Sequence, residues 1–206
     1  MSLGLSVSVV ELAAAIATLV NVWLTIRTSL WSWAWGALAV ALYAIVFWES
    51  HLWSSMVLQV AYYLPMQAVG WWTWLRAGPS GDDDLPVTQL GTTARLAWGA
   101  IAVVLTVALG LTMGRFGAAQ TWSDAAITAT SVVGQALMTR KVIEHWGCWV
   151  VVNLAYAAWL LPRQGLWLSA ALYALLLVLA VRGWREWARA LGRAHAGSAA
   201  PAPAAS

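Results

Sequence analysis

Seven apolar runs, at about residues 8–26, 31–48, 53–75, 94–113, 121–138, 146–162 and 165–183, constrain this chain more than any other feature. A run of about 17–25 apolar residues is long enough for a helix to cross the hydrocarbon core of a bilayer. In hydrocarbon every backbone amide must find its partner within the chain, and a helix does this segment by segment. The pattern predicts an all-α membrane protein of seven transmembrane helices. Composition agrees: 62% of the 206 residues are hydrophobic and 9% charged, against about 25% charged in ordinary soluble domains. Met1 to Val10 carry no Lys or Arg, so the first run is expected to be a retained span rather than the core of a signal peptide. Ala77 to Pro86 reads as a solvated, turn-rich linker, and the Ala-, Pro-, Gly- and Ser-rich tail, about 194–206, as disordered.

The basic residues set the expected orientation. Loops on the side of the N-terminus hold Arg115 and Arg163, whereas the opposite side holds Arg27, Arg76, Arg95, Arg140, Lys141, Arg182, Arg185, Arg189 and Arg193. Cytoplasmic loops carry the excess of Lys and Arg. This predicts an N-terminus outside and a C-terminus in the cytoplasm, as an odd number of spans requires. Topology therefore accounts for the net charge of +3, and no nucleic-acid partner is implied.

The chain also repeats itself. A shift of 113 residues pairs Arg27 with Arg140, Trp33 with Trp146 and Tyr43 with Tyr156. The same shift pairs Gly70, Trp71, Trp74 and Arg76 with Gly183, Trp184, Trp187 and Arg189, and Trp53 meets Trp167 one residue out of step. With 17 tryptophans one matched Trp means little, but Gly-Trp-x-x-Trp-x-Arg at one unchanged shift means much more. The division is repeat one at about 8–76, a linker helix at about 94–113 and repeat two at about 121–189. Three spans reverse the direction of a chain and a fourth restores it, so the plan is 3+1+3 with two parallel three-helix repeats. Transporters built from such repeats hold their substrates near the midplane, between the repeats.

Polar stripes inside the spans mark a candidate chamber. Trp146, Trp149, Asn153 and Tyr156 share one helix face by their i, i+3, i+7 and i+10 spacing. Gln59, Tyr63 and Gln67 form a second stripe, Thr128, Ser131 and Gln135 a third, and Trp35, Ala39 and Tyr43 a fourth with a gap at the alanine. A carboxamide facing lipid without a partner costs several kcal/mol, so these faces should turn toward other helices or a cavity. Aromatic walls with a few placed polar groups suit a flat, polar-edged small molecule; helix packing with Asn153 bonded to a neighbour is the alternative. The candidate substrate-binding residues are Trp35, Tyr43, Gln59, Tyr63, Gln67, Gln135, Trp149, Asn153 and Tyr156. Pro65 should bend its span beside them. Ser131 and Thr128 are expected to bond their own helix, and Trp31, Trp48, Trp53, Trp122, Trp167 and Trp184 to anchor span ends at the membrane interface.

Other function classes lack their residues. No Asp, Glu, Lys, Arg or His lies near the middle of a span, where coupled carriers place ionisable groups. No phosphate-binding Gly-x-x-x-x-Gly-Lys-Ser/Thr loop is present, which leaves facilitated movement as the simplest mechanism. The single cysteine, Cys148, rules out an internal disulfide; His51 and His145 fall in loops and His195 in the tail, so no metal or cofactor is expected. Lys141, the only lysine, lies in a loop rather than in the last span, where a retinal photoreceptor needs it. Nucleophile–base and paired-carboxylate sets are absent from the spans, so the chain is not expected to be an enzyme. Arg140 and Lys141 read as topology determinants, with a cytoplasmic gate as the alternative role.

These residues resemble the PnuC family of bacterial vitamin transporters. The matching stretches are Trp31 to Gly36, Leu58 to Tyr63, Gln67 to Arg76, Gly134 to Lys141, Trp146 to Asn153 and Gly183 to Trp187. The resemblance implies a fold related to the SWEET sugar transporters, a homotrimer in the bacterial inner membrane and passage by facilitated diffusion. It also implies a vitamin precursor as substrate, trapped inside by a cytoplasmic kinase. Tyr62 to Gln67, followed by Gly70-Trp71, and the Trp149–Asn153 spacing look most like the nicotinamide riboside branch; thiamine and riboflavin are the alternatives within the family, and a receptor or structural membrane protein the alternative outside it. Trp53 and Ser55 depart from the family pattern, which has Tyr and Asp commonly there.

Overall fold

The computed structural model describes residues 9–49, 53–76, 86–115, 121–163 and 167–198. The linker from 77 to 85, His51 and residues 199–206 lie outside them. Helix α1 spans Val9–Ile26 and α2 Trp31–Glu49. A third rod consists of α3 (Trp53–Leu58), a π turn (Gln59–Tyr63) and α4 (Leu64–Arg76). Helix α5 covers Thr92–Arg115 and α6 Thr121–Thr139. The sixth rod joins α7 (His145–Ala155), a π turn (Tyr156–Leu160) and the short α8 (Leu161–Arg163). The last, α9, runs Trp167–Ser198.

Among the described residues, seven helical rods thus stand where seven spans are predicted. By length and apolarity, α1, α2 and α5 each suffice to cross a membrane. The third and sixth rods are interrupted, each by a π turn that ends two residues before a proline, Pro65 and Pro162. A proline gives no N–H to the preceding turn and its ring crowds the carbonyl four residues back, so the local hydrogen bonding is reset there. Helix α9 continues past the predicted span end near 183 and through residue 194, where the tail was expected to begin. Arg182 and Glu186, one turn apart and 2.8 Å from each other, support this extension.

Six rods close a ring: α1 packs on α2, α2 on α4, α4 on α6, α6 on α7, α7 on α9, and α9 back on α1. Helix α5 packs on α6 outside the ring. Its Leu96, Val103, Val104 and Leu111 are all more than half exposed, the surface of a helix that needs an apolar neighbour beyond its own chain.

The repeat seen in the sequence returns in the hydrogen bonds. Thr28 donates from its N–H to Thr25 and Ser29 to Leu24; Lys141 donates to Met138 and Val142 to Leu137. Each pair closes a helix end with the 6→1 and 5→2 bonds of a Schellman motif. The residue that must turn left-handed is not glycine in either copy: Thr28 has φ 55 and Lys141 φ 51. The next bonds also match, Trp33 to Leu30 and Trp146 to Ile143. Trp33 then lies flat on Gly70, and Trp146 flat on Gly183. Trp33 meets Trp74 edge-on at 5.2 Å, and Trp146 meets Trp187 at 5.7 Å. The second tryptophan of each pair crosses to the other half: Trp74 Nε1 donates to Met138 O at 3.3 Å, and Trp187 Nε1 to Ile26 O at 3.2 Å. These indoles form one core layer where α1 and α6 end and α2 and α7 begin.

Candidate functional site

The ring encloses a cavity of about 370 Å³, within the range of small-molecule sites. Its floor is the tryptophan layer, with Thr25, Met138, His145, Trp146 and Ala180 facing the cavity. At the opposite end stand Tyr43, Phe47, Tyr63, Tyr156 and Tyr173. Tyr156 and Tyr173 pack at 4.5 Å between centroids, and Tyr43 stacks on Phe47 at 5.9 Å. Both π turns lie at this level and carry Tyr63 and Tyr156 into the lining. Beside Tyr63, Tyr62 donates to Val132 O at 2.7 Å and fixes the third rod to α6.

Eight of the nine predicted site residues line this one cavity: Tyr43, Gln59, Tyr63, Gln67, Gln135, Trp149, Asn153 and Tyr156. The α7 stripe lies along it from Trp146 to Tyr156. The ninth, Trp35, does not line it and is 38% exposed. Steps of four residues advance about 40° each on a 100° helix, so Trp35 and Tyr43 stand well apart around α2. Gly36 takes the inward place with Ala39, Val40 and Tyr43. Ser131 donates back to Ile127 O at 2.9 Å, as a hydroxyl in mid-helix is expected to do.

Three of the amide side chains that line the cavity, Gln67, Gln135 and Asn153, are buried. Neither Gln67 Oε1 nor Gln135 Nε2 has a protein partner. A buried amide atom without a bond carries a penalty of about 1–3 kcal/mol. Gly36 makes the space for them: a Cβ built on it would stand 2.5 Å from Gln67 Oε1 and 2.8 Å from Asn21 Nδ2. Gly134 does the same between α6 and α7, where an added Cβ would meet Cys148 Cβ at 2.9 Å and Trp149 only beyond it.

Several lining residues escape the sequence reading. Asn21, Thr18 and Thr25 come from α1, and Tyr173 from α9. Asn21 Nδ2 donates to Ser32 O at 2.6 Å, tying α1 to the start of α2. It carries the signal that marks Asn153, a lone carboxamide in an apolar run. His145, expected in a loop, opens α7 and is fully buried in the cavity wall. Lys141 is likewise no solvated loop residue: it is 1% exposed, its ammonium 4.5 Å from the centre of the Trp74 ring. Arg140 remains exposed, its guanidinium 5.4 Å from the Trp98 ring centre.

Among the described residues, those lining the cavity include no Asp, Glu, Lys or Arg. The chamber offers aromatic faces, amides and hydroxyls to an uncharged or cationic guest. A ring of helical rods around such a chamber is the build of a small-molecule membrane transporter. Comparison with known proteins gives the family: the chain belongs to the nicotinamide mononucleotide transporters, whose description matches residues 8–189. The nicotinamide riboside transporter PnuC of Escherichia coli strain K12 is 26% identical over 210 residues, 89% of this chain and 87% of its own. The riboflavin/roseoflavin transporter RibM of Streptomyces davaonensis is 28% identical over 180 residues, 86% of this chain and 83% of its own. A crystal structure of the vitamin B3 transporter PnuC superposes with a TM-score of 0.72 at 25% identity, covering 88% of this chain and 81% of that one.

Proposed function

We propose that this protein admits nicotinamide riboside to the cytoplasm by facilitated diffusion across the bacterial inner membrane. The observation that carries the proposal is the chamber's uncharged lining of amides and aromatic rings. Nicotinamide riboside is a flat pyridinium cation with a carboxamide and ribose hydroxyls. A cation against an aromatic face gains about 0.5–2 kcal/mol, and in this reading the rings are those of Trp149, Tyr63, Tyr156 and Tyr43, all in the cavity lining. Gln67, Gln135, Gln59 and Asn153 supply donors and acceptors for the carboxamide and hydroxyls. A phosphorylated nucleotide would instead bring a near-dianion, which binds where Arg or Lys can pair with it. The lining therefore favours the riboside over the mononucleotide. Thiamine, another flat cation, fits the same physics.

In this reading the spans form a 3+1+3 fold of two parallel repeats, with the N-terminus outside and the protein a homotrimer. Movement needs no ion, and a cytoplasmic kinase retains the substrate by phosphorylation without a stable complex with the carrier. The test is uptake of labelled nicotinamide riboside into proteoliposomes holding only this protein. Saturable uptake that stops at equal concentrations and ignores imposed ion gradients supports the reading; uptake driven beyond equality by a gradient contradicts it. Riboflavin is the second reading, favoured by the identity to RibM, and competition by riboflavin in the same assay decides between them.

A further inference from the structure

The tryptophan layer seals one end of the cavity: Trp33, Trp74, Trp146 and Trp187 are 1%, 4%, 2% and 1% exposed. A molecule in the cavity can leave at this end only when the layer parts. The layer is made of two halves, one from each repeat. Within a half the contact is ring on backbone, Trp33 flat on Gly70 and Trp146 flat on Gly183, and neither of these two indole N–H groups has a partner. A ring that lifts from such a seat exposes its apolar face to water. The tryptophans of one half also stand closer, at 5.2 Å and 5.7 Å between centroids, than Trp74 and Trp187 do across the join, at 6.3 Å.

Across the join the halves are tied by hydrogen bonds. Trp74 Nε1 donates to Met138 O and Trp187 Nε1 to Ile26 O. Both acceptors lie in the last turn of a helix, α6 and α1, where carbonyls are left over from the helical ladder. A bond of this kind can be exchanged for bonds to water at a small net cost, so the join can open and close again. The Trp74 side has a further hold, the Lys141 ammonium 4.5 Å from the ring centre; the counterpart of Lys141 in the first repeat is Thr28, which brings no charge.

We propose that Trp74 and Trp187 are the two latches of a gate at the tryptophan end of the cavity. The repeats part between them, each indole exchanges its carbonyl for water, and the transported molecule leaves through the opening. The inference rests on the transport reading, in which this end faces the cytoplasm.

The experiment is double electron–electron resonance on the full chain in nanodiscs, with labelled chain diluted into unlabelled chain so that distances are read within one copy. Spin labels replace exposed arginines beside each latch: Arg27→Cys with Arg189→Cys, and separately Arg76→Cys with Arg140→Cys, both in a Cys148→Ala background. The 113-residue shift relates the two pairs. Each pair is expected to show a shorter and a longer distance. Trp74→Phe or Trp187→Phe should raise the ratio of longer to shorter about fivefold, the effect of one lost hydrogen bond. Trp33→Phe trims the same ring in the same layer without touching either bond, and should leave the ratio as in wild type. An unchanged ratio in both latch variants, or an equal rise with Trp33→Phe, overturns the latches. Where a latch variant does not fold, the wild type decides alone: the longer distance must be present, and a single distance at both pairs overturns the gate. A fivefold rise in the variants with no response of the wild type to saturating nicotinamide riboside would strike the transport reading and leave the gate standing.

Discussion

Gly36→Ala separates ligand binding from stability. The new methyl would stand 2.5 Å from Gln67 Oε1, where real Cβ contacts begin near 3.0 Å and ordinary packing at 3.4 Å. The Gln67 carboxamide must retreat by about 0.5–0.9 Å, the gap between that distance and those two limits. A hydrogen bond of about 2.9 Å does not survive such a shift with its geometry intact. Losing the bond and leaving the amide buried costs about 1–3 kcal/mol, or about 5- to 150-fold in Kd. The helix itself gains, since alanine is favoured over glycine by about 1 kcal/mol within a helix. The obstructing atoms are the ends of flexible side chains, so the fold can yield. The variant should bind nicotinamide riboside weakly in calorimetry while its thermal transition is unchanged or slightly raised. Wild-type affinity, or a fall in stability in step with the fall in binding, would refute the reasoning.

Thr28→Gly should relieve a β-branched residue held at φ 55; the left-handed region costs L residues about 1–2 kcal/mol, and the melting temperature should rise by about 2–4 °C. Gly183→Ala drives a methyl into the buried Trp146 ring and should destabilise by about 1–3 kcal/mol. Gly192→Ala, with nothing within 4 Å of the new methyl, should be neutral or stabilising in the same melting experiment. Glu144 accepts from Leu90 N at 3.1 Å and pairs with Arg95 at 2.8 Å. Glu144→Ala should free the segment before α5, seen as faster proteolytic cleavage between residues 86 and 92.

Much of the fold could be read from the chain because the bilayer requirement and the repeat are both written in one dimension. The apolar runs locate the rods, and the 113-residue shift anticipates contacts that only the folded chain reveals, such as Trp33 on Gly70 and Trp146 on Gly183. The α7 stripe is legible because a carboxamide and two indoles in an apolar helix have few places to go. What escaped is set by register and by boundaries. Trp35 fails because an i, i+4, i+8 line drifts around a straight helix, and Gly36, with no side chain to announce it, holds the inward place. His145 stands just ahead of the apolar run that begins at 146 and so reads as a loop residue; the Schellman turn at Lys141 starts the helix early enough to bury it. Neither π turn shows in hydropathy, and its one trace is the proline two residues beyond. Asn21 carries the same signal as Asn153, a carboxamide within an apolar run.

The central claim, that an uncharged aromatic chamber takes the riboside and refuses the nucleotide, is tested most directly by parallel calorimetric titration of the purified protein with nicotinamide riboside, nicotinamide mononucleotide, thiamine and riboflavin. The account predicts saturable binding of nicotinamide riboside, with the mononucleotide and riboflavin silent at the same concentrations. Binding of the mononucleotide as tight as that of the riboside, or binding of riboflavin alone, would contradict it.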